Sequence, residues 1–472
     1  MACYTIAKHI KEKHMSGLAL IITFIIAIAI MIVAISKWNV NPFLALMGIS
    51  LILAIVVGIP LADIPNTIGS GFSGIFSSIG IVIILGALIG TILEKTGAAL
   101  KLAEMVVRLV GQKRPQLAME IMGWVVSIPV FCDSGFVILD PIRRALRKKT
   151  QFSSVAMTVA LSAGLYTSHV FIPPTPGPIA AAGTLGIGDN LFMVIVMGAI
   201  VSIPTLIVAY FYANHIGKRI KSADEVHEDL TGQDYDELLK SFGKLPNGFM
   251  AVAPILIPIL CMALGSLASA LGWSGNMATL SKFVGSPIIA LTIGLIFGII
   301  LLGQSGKMRS FNVMTTDTLK VVGPILFITA AGGVLGKVIS SAGFVGYMKE
   351  NAAALSMVGI FFPFLISAIL KSAQGSSTVA ITTTAGIMGS FVDSGSMMTG
   401  LGLTSPIAAV LTVMAIGAGA MTVSHANDSY FWVVTNFGEM TPADGYKTQT
   451  MVTLLMGLTS MIFIWIISLF LL

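Results

Sequence analysis

The chain has 472 residues, of which 56% are hydrophobic and only 10% are charged. A soluble globular domain carries roughly 25% charged residues because most of its surface faces water, so this composition excludes that class. A helix needs about 20 mostly apolar residues to cross a bilayer, and the apolar content suffices for about ten to twelve such spans. We therefore predict an all-α polytopic membrane protein that lies in a lipid bilayer.

The net charge of +6 does not indicate a nucleic-acid partner, because the basic residues are scattered in short clusters between apolar stretches. An excess of Lys and Arg is typical of the cytoplasmic loops of membrane proteins. Three cysteines, Cys3, Cys132 and Cys261, are too few and too far apart for a disulfide framework or a metal cluster. We expect neither a metal nor an organic cofactor.

The first half contains long apolar stretches at residues 16–36, 42–60, 72–93, 153–172 and 190–214. The first stretch is longer than the core of a signal peptide and no cleavage site follows it, so we expect a retained span. A weaker segment, residues 115–142, is interrupted at Cys132-Asp133-Ser134-Gly135. We interpret it as a re-entrant helical hairpin that enters and leaves the membrane on one side.

A polar stretch with seven acidic residues, residues 215–249, lies near the midpoint of the chain. It is expected to be a solvated linker between two halves, residues 1–214 and 250–472. The second half has comparable apolar stretches at residues 250–272, 286–303, 321–340, 403–424 and 446–472. It also has a weaker segment, residues 354–391, that is interrupted at residues 371–378. The prediction is about 10 full transmembrane helices plus two re-entrant hairpins.

The two halves are similar in sequence around a Ser-His pair. The motif that opens at Gly164 and ends at Ser168-His169 has a counterpart that opens at Gly419 and ends at Ser424-His425. Five spans and one hairpin give each half an odd number of crossings, so consecutive halves have opposite orientations. The sequence therefore predicts two inverted repeats, an arrangement found in many secondary transporters.

The distribution of positive charge predicts the orientation. The basic clusters within residues 95–114, 143–149 and 218–244 all lie on one side if the N-terminus is outside. The central linker is then cytoplasmic and both termini are outside. Three lysines near the start of the chain, at positions 8, 11 and 13, favour the opposite orientation.

Polar and proline-rich interruptions occur at membrane depth. Four such places are predicted, at residues 131–135, 168–178, 372–378 and 424–428. Irregular backbone inside a membrane is tolerated only where protein or a water-filled cavity satisfies its polar groups. Broken helices expose free N–H groups at their new N-termini, which attract anions. The expected ligand is a small anionic solute.

Two carboxylates lie within these interruptions. Asp133 has apolar neighbours on both sides, and Asp428 belongs to a run of five polar side chains, Ser424 to Ser429 without Ala426. An ionised carboxylate in a bilayer usually marks a functional site, although Asp133 could also be a local cap of the hairpin tip. Asp140-Pro141 resembles an N-cap followed by proline at the first helical position, and Arg143 is interpreted as an anchor at the cytoplasmic face.

His169 precedes a segment with four prolines in six residues, which excludes an ordinary helix there. The imidazole is equally consistent with a satisfied core group and with a group that binds substrate or carries a proton. Gln374, Ser376, Ser377 and Thr378 are neutral hydrogen-bonding groups suited to a hydroxylated solute, although such groups also pack in membrane helices.

The motifs together resemble the GntP-type gluconate permease family. The stretches that carry the resemblance are Pro129-Val130-Phe131 with Gly135-Phe136-Val137, Ser168-His169 with Pro173-Pro174 and Pro176-Gly177-Pro178, Gly375-Ser376-Ser377-Thr378-Val379-Ala380, and Ser424-His425-Ala426-Asn427-Asp428 with Phe431-Trp432. They occur in the family's order, and the similarity extends over nearly the whole chain.

The resemblance implies a bacterial inner-membrane symporter that takes up gluconate or a related hydroxy acid with protons. It also implies membership of an inverted-repeat transporter superfamily whose members are often dimers and are thought to move a transport domain as an elevator. The chain departs from better known gluconate carriers, which have Glu-Val in place of Asp133-Ser134, His in place of Thr175 and an aliphatic residue in place of Asp140. The first two departures touch the expected site and leave the substrate open.

We predict that a carboxylate substrate binds between the hairpin tips and the Ser-His breaks, and that Asp133, His169 and Asp428 are candidates for proton coupling. The expected substrate-binding residues are Asp133, Ser134, Gly135, Ser168, His169, Thr175, Gln374, Gly375, Ser376, Ser377, Thr378, Ser424, His425, Asn427 and Asp428.

Three alternatives stay open. The chain could carry another small carboxylate, such as D-serine, glycerate or lactate, with sodium in place of protons. Gly71-Phe72-Ser73-Gly74 matches the short pattern of intramembrane serine hydrolases, although a chain with 49 glycines contains such a pattern readily by chance. A channel is the third alternative, but polar residues concentrated at the midplane favour a transporter.

Overall fold

The computed structural model describes residues 18–38, 40–111, 113–226, 245–342, 359–426 and 428–472. Within these ranges every regular element is helical and no β-strand occurs. The helices of the first half are α1 (Leu18–Ser36), α2 (Pro42–Val56), α3 (Ile64–Ile75), α4 (Ile81–Lys95), α5 (Ala98–Val110), α6 (Pro115–Val126), α7 (Cys132–Thr150), α8 (Ser154–Phe171), α9 (Pro176–Thr184) and α10 (Leu191–Ile216).

After a short helix at Ala223–Val226, the second half begins with α11. Its helices are α11 (Gly248–Ala270), α12 (Gly275–Gly285), α13 (Pro287–Gln304), α14 (Phe311–Ser341), α15 (Phe361–Gln374), α16 (Ser377–Met388), α17 (Pro406–Met421), α18 (Ser429–Phe437) and α19 (Met451–Leu471). Further single turns are formed by Phe76–Gly80, Gly188–Asn190, Met308–Ser310, Met397–Gly400, Pro442–Gly445 and Tyr446–Thr450.

The described part of the chain contains six helical segments that are long and apolar enough to cross a membrane. They are Ser154–Thr184, Gly188–Ile216, Gly248–Ser269, Pro287–Gln304, Met308–Ser341 and Pro442–Leu471. A seventh is formed if α4 and α5, bent by 73° at their junction, are taken as one span, and several shorter apolar helices accompany them. The all-helical membrane architecture is thus established, while the number of full spans, about ten, stays a prediction.

Helix boundaries differ from the predicted ones at both hairpins. The first break lies at residues 127–131 rather than 132–135, and α7 continues to Thr150, beyond the predicted end at 142. The second break comprises Gly375 and Ser376, between α15 and α16. Gly375 has a φ of +87°, a left-handed conformation that glycine adopts without strain. Residues 354–358 of the predicted second hairpin lie outside the described residues.

Three local predictions are wrong. Ser168 and His169 are helical, because the prolines disrupt α8 only from Ile172 onward, the residue that precedes Pro173. Pro141 lies inside α7, so Asp140 is not an N-cap. Arg143 is fully buried rather than an anchor at the membrane surface.

The same order of elements occurs in both halves. An interrupted helix pair, α6–α7 or α15–α16, precedes a broken pair, α8–α9 or α17–α18, and a long helix, α10 or α19, follows. α6 packs on α8 and α15 packs on α17, while α9 contacts α16 and α18 contacts α7. Each half therefore contributes one helix to the other half's interrupted pair.

Glycines permit the close contact within each half. A Cβ atom at Gly164 of α8 would lie 2.0 Å from the Glu120 carbonyl oxygen of α6, and one at Gly419 of α17 would lie 2.3 Å from the Phe364 carbonyl oxygen of α15. Small residues let membrane helices approach in this way. The glycine that opens each Ser-His motif thus has a packing role.

Candidate functional site

A cavity of about 260 Å³ lies where the two interrupted pairs meet. Its walls come from the starts of α7, α16 and α18 and from one face of α8. The lining residues are Phe131, Cys132, Asp133, Tyr166, His169, Gly375, Ser376, Ser377, Thr378, Asp428, Ser429 and Tyr430.

Three helices begin at this cavity, at Cys132, Ser377 and Ser429. The first turn of a helix has N–H groups without intrahelical partners and carries partial positive charge. Ser376 caps α16 by accepting a bond from the Val379 N–H at 3.3 Å. The partial positive charge of the three helix starts makes the cavity suited to an anion.

Asp428 is a buried carboxylate with a full set of donors. One oxygen, Oδ2, accepts hydrogen bonds from Ser424 Oγ at 2.5 Å and from Lys371 Nζ at 2.5 Å. The other, Oδ1, accepts from the Tyr430 N–H at 3.0 Å, which makes Asp428 the N-cap of α18. The Lys371 ammonium is also fully buried. The carboxylate is therefore compensated by a cation and by hydrogen bonds.

Asp133 lies in the first turn of α7 and is only partly buried. Ser429 Oγ donates a hydrogen bond to its Oδ1 at 3.2 Å, and the Cys132 thiol lies 3.6 Å from its Oδ2. In the described part of the chain, no Lys or Arg side chain forms an ion pair with this carboxylate. When it is ionised, Asp133 thus contributes to the cavity a negative charge that has no cationic partner among the described residues.

His169 is buried on the α8 wall of the cavity, and its Nδ1 has no hydrogen-bond partner among the described residues. Its ring lies parallel to the Tyr166 ring, at 6.4 Å between centroids, and 6.0 Å from the Phe131 ring. A buried imidazole on a cavity wall, with one ring nitrogen unpaired among the described residues, is a group that can bind a hydroxyl group or carry a proton.

Seven of the predicted site residues line the cavity: Asp133, His169, Gly375, Ser376, Ser377, Thr378 and Asp428. Ser424 does not line the cavity, but its Oγ donates a hydrogen bond to Asp428, which does. Ser134 is partly buried beside Asp133 but does not line the cavity. Asn427 lies outside the described residues, and the side chain of Gln374 is outside them as well.

The other predicted site residues have local structural contacts. Ser168 Oγ donates to the Trp124 carbonyl at 2.5 Å, and Thr175 Oγ1 donates to the Ile172 carbonyl at 2.7 Å. His425 Nε2 lies 3.1 Å from the Ser372 carbonyl oxygen. Gly135 packs so tightly that a Cβ atom there would lie 2.6 Å from Leu165 Cδ2. These residues shape the walls without reaching the cavity.

Sequence reasoning missed several residues of the site. Lys371, the cation beside Asp428, could have been found because a lysine within an apolar membrane helix is rare and usually paired. Tyr166 and Tyr430 were not predicted, because aromatic residues near span ends are interpreted as interfacial by default. Phe131, Cys132 and Ser429 lie within two positions of predicted residues in the chain and line the cavity with them.

The serine-hydrolase pattern lies elsewhere in the fold. Gly71 of α3 packs on α14, where a Cβ atom would lie 2.8 Å from Val334 Cα. Ser73 Oγ is bonded to the Ser70 carbonyl at 3.5 Å. Among the described residues, no group of three or more His, Cys, Asp or Glu side chains could hold a metal ion.

A family model described as GntP family permease matches residues 19–470. The chain belongs to the GntP permease family. Among its relatives, this permease is 33% identical to the inner membrane permease YgbN of Escherichia coli K12, with 96% of this chain and 99% of the relative covered. It is 30% identical to the gluconate permease of Zymomonas mobilis ZM4, covering 95% and 98% of the two chains.

A more distant relative, the Gnt-II system L-idonate transporter of Escherichia coli K12, is 26% identical over 92% of this permease and 96% of that protein. The fold is similar to the crystal structure of the Alcanivorax borkumensis YdaH transporter, with a TM-score of 0.62, 16% identity and coverage of 91% and 97%. The chain is therefore a multi-pass membrane permease and not an enzyme.

Proposed function

We propose that this permease is a secondary active transporter that imports gluconate or a related small hydroxy-carboxylate together with protons. Relatives named gluconate permease and L-idonate transporter support a sugar acid as the substrate class. The departures at Asp133-Ser134 and Thr175 leave the identity of the acid to experiment.

The cavity at the two hairpin tips is the observation that carries the proposal. Its volume of about 260 Å³ is below the roughly 300–1,000 Å³ typical of pockets for drug-sized ligands, which suits a small solute. Helix starts provide N–H donors for a carboxylate, and the hydroxyl groups of Ser376, Ser377 and Thr378 are suited to the hydroxyls of a sugar acid. Half-helices that begin at a binding site are typical of transporters.

The uncompensated carboxylate explains why a proton accompanies the substrate. An anion that enters the cavity meets the charge of Asp133, and like charges in a poorly solvated site repel strongly. Protonation of Asp133 removes that repulsion, so proton and substrate bind with positive coupling. Asp428 already has Lys371 as its partner and has less need of a proton.

The transport cycle proposed here uses the two halves as inverted repeats. The interrupted pairs α6–α7 and α15–α16, with the broken pairs α8–α9 and α17–α18, would move as an elevator-type transport domain against the remaining helices. We place the linker at residues 215–249 in the cytoplasm and both termini outside, and we propose a homodimer in the bacterial inner membrane. The recurrence of the same element order and the charge distribution support this arrangement.

Counterflow with purified protein in liposomes tests the proposal. In the counterflow assay, vesicles are loaded with gluconate, another sugar acid, glycerate, lactate or D-serine, and the uptake of labelled gluconate is measured. In a second assay, an imposed pH or sodium gradient drives the uptake. We expect saturable counterflow with a sugar acid and accumulation driven by an inward proton gradient. Accumulation driven only by sodium would overturn proton coupling, and flux without counterflow would indicate a channel.

Asp317→Asn is the control for loss of a carboxylate, because Asp317 is exposed and does not line the cavity. We expect this variant to transport like the wild type.

A further inference from the structure

Lys371 is a charged residue in the middle of the protein that does not line the cavity. It lies one turn before the end of α15, and its side chain is fully buried. A buried ammonium is strongly unfavourable unless its charge is balanced and its N–H groups are bonded. Its partners therefore define what it does.

The ammonium joins three separate parts of the site. Nζ donates to Asp428 Oδ2 at 2.5 Å, in the segment between α17 and α18, and to the Gly375 carbonyl in the break before α16. It also lies 5.6 Å from the centroid of the Tyr166 ring, on α8, close enough for a cation–π interaction. Lys371 thus connects the second hairpin tip to both broken pairs.

Because these partners occupy the ammonium, Lys371 acts on the substrate only through Asp428 and Gly375, which both line the cavity. It is a positioning residue rather than a binding residue. Removing one member of a buried ion pair leaves the other as an uncompensated buried charge, which is far less favourable than removing both.

The charges around the cavity can be counted. The carboxylates are Asp133 and Asp428, the cation is Lys371, and the other titratable groups are Cys132, Tyr166, Tyr430 and His169. Thiols and phenols are ordinarily uncharged at neutral pH, and imidazole is mostly neutral above pH of about 6.5. The charges of Lys371 and Asp428 neutralise one another. The negative charge of ionised Asp133 is then the net charge of these groups.

We propose that Lys371 fixes the number of coupled protons at one, by balancing Asp428 so that Asp133 is the single carboxylate that takes up a proton with the substrate. This inference rests on the proposed function. It predicts that one proton accompanies each monovalent substrate anion.

Replacing Lys371 tests the inference. In Lys371→Met two uncompensated carboxylates face the substrate, so binding requires a second proton. We expect transport at pH 7.5 to fall at least about tenfold, the pH optimum to shift to lower pH, and the measured stoichiometry to rise from one proton to two. Lys371→Arg retains the charge and should keep one proton per substrate.

The double variant Lys371→Met with Asp428→Asn removes both charges and keeps the count of uncompensated carboxylates at one. We expect it to regain transport relative to Lys371→Met and to return to one proton per substrate. This variant also keeps the test decisive if Lys371→Met folds poorly. Lys320→Met is the control, because Lys320 is exposed and pairs with exposed Asp317 at 3.0 Å.

Stoichiometry is measured in liposomes as the ratio of proton influx to labelled-substrate influx. One proton with one monovalent anion carries no net charge, so wild-type flux should not depend on membrane potential, whereas two protons per anion carry a net positive charge and should make the flux of Lys371→Met depend on it. The inference is overturned if Lys371→Met keeps the wild-type pH profile and stoichiometry, or if the double variant transports no better than Lys371→Met. These outcomes are distinct from failure of the proposed function, in which the wild-type protein itself transports no carboxylate or does so without protons.

Discussion

Helix α7 carries two aspartates, seven residues apart, in opposite surroundings. Asp140 accepts hydrogen bonds from Arg143 Nε at 2.6 Å and from Arg144 Nε at 2.7 Å, so both of its oxygens have cationic partners. Asp133 has a hydroxyl and a thiol as its neighbours and faces the cavity. The comparison shows that one helix holds a carboxylate whose charge is balanced by two arginines and another whose charge has no cationic partner among the described residues.

We call the ion-paired residues around Asp140, Arg143 and Arg144 the balanced region. This region extends well beyond Asp140. Arg143 also donates to Ser154 and to the Phe437 carbonyl, and its Nη1 lies 3.6 Å from Asp224. This network joins α7, the start of α8, the end of α18 and the segment after α10. It holds the C-terminal part of α7 in place, while the N-terminal part of α7 lines the cavity.

Breaking the balanced region should have the largest effect on stability. Arg143→Met removes a fully buried cation and leaves Asp140 and Asp224 with fewer partners. Loss of one member of a buried ion pair costs about 3–5 kcal/mol, so we expect a large fall in melting temperature in detergent. Lys320→Met is the control, since Lys320 pairs with Asp317 at 3.0 Å, both side chains are more than half exposed, and such surface pairs contribute roughly 0–1 kcal/mol. Equal melting temperatures for the two variants would contradict a structural role for the network.

The position of the first break depends on a glycine of α4. A Cβ atom at Gly90 would lie 2.0 Å from the Pro129 carbonyl oxygen, within residues 127–131 that precede Asp133. Gly90→Ala should therefore displace the hairpin tip, lower transport severalfold and destabilise the protein by about 1–3 kcal/mol. Gly48→Ala is the matched control, because nothing lies within 4 Å of a Cβ atom there. Wild-type transport by Gly90→Ala would show that the tip tolerates displacement.

Acid pH should weaken the balanced region to a smaller extent. Burial alone would raise the pKa of Asp224, but hydrogen bonds from Ser222 and Ser154 and the charge of Arg143 outweigh it and lower the pKa below its ordinary value. A carboxylate with a lowered folded-state pKa stabilises the protein above its unfolded pKa of about 3.9, and this contribution is lost as pH falls through the folded-state pKa. Asp224→Asn should thus be less stable than wild type at pH 7, and the difference should shrink below about pH 4.

Thermal melting of both proteins between pH 3 and pH 7 checks this expectation. A difference between wild type and Asp224→Asn that is constant over the whole range would show that the carboxylate does not gain its stabilising effect from ionisation.

The sequence predicted the membrane helices and the interrupted pairs because long apolar runs and clusters of glycine, proline and polar residues are local signals. It placed Asp133, His169 and Asp428 among the site residues for the same reason. It could not assign partners to Asp140 or Asp428, because their ion pairs and hydrogen bonds depend on packing. Lys371 and Asp428 are 57 residues apart in the chain, and only the fold shows that they neutralise one another.

Helix ends were less predictable than helix existence. The Ser168-His169 pair was expected to open an irregular stretch, yet α8 continues to Phe171, because Pro173 excludes a helical conformation only at Ile172, the residue directly before it. Pro141 was expected to start a helix and instead lies inside α7, where Asp140 and Arg143 interact over less than one turn.

Proton-driven uptake by Asp133→Asn tests the central claim most directly. The variant is compared with wild type in liposomes, both for accumulation of labelled substrate under an inward pH gradient and for exchange of labelled against unlabelled substrate. The account predicts that the variant loses accumulation driven by the pH gradient and retains exchange. An amide is neutral, so it does not repel the substrate, and it does not take up and release a proton during the transport cycle. Accumulation at the wild-type level by Asp133→Asn would contradict the account and remove Asp133 from the coupling mechanism.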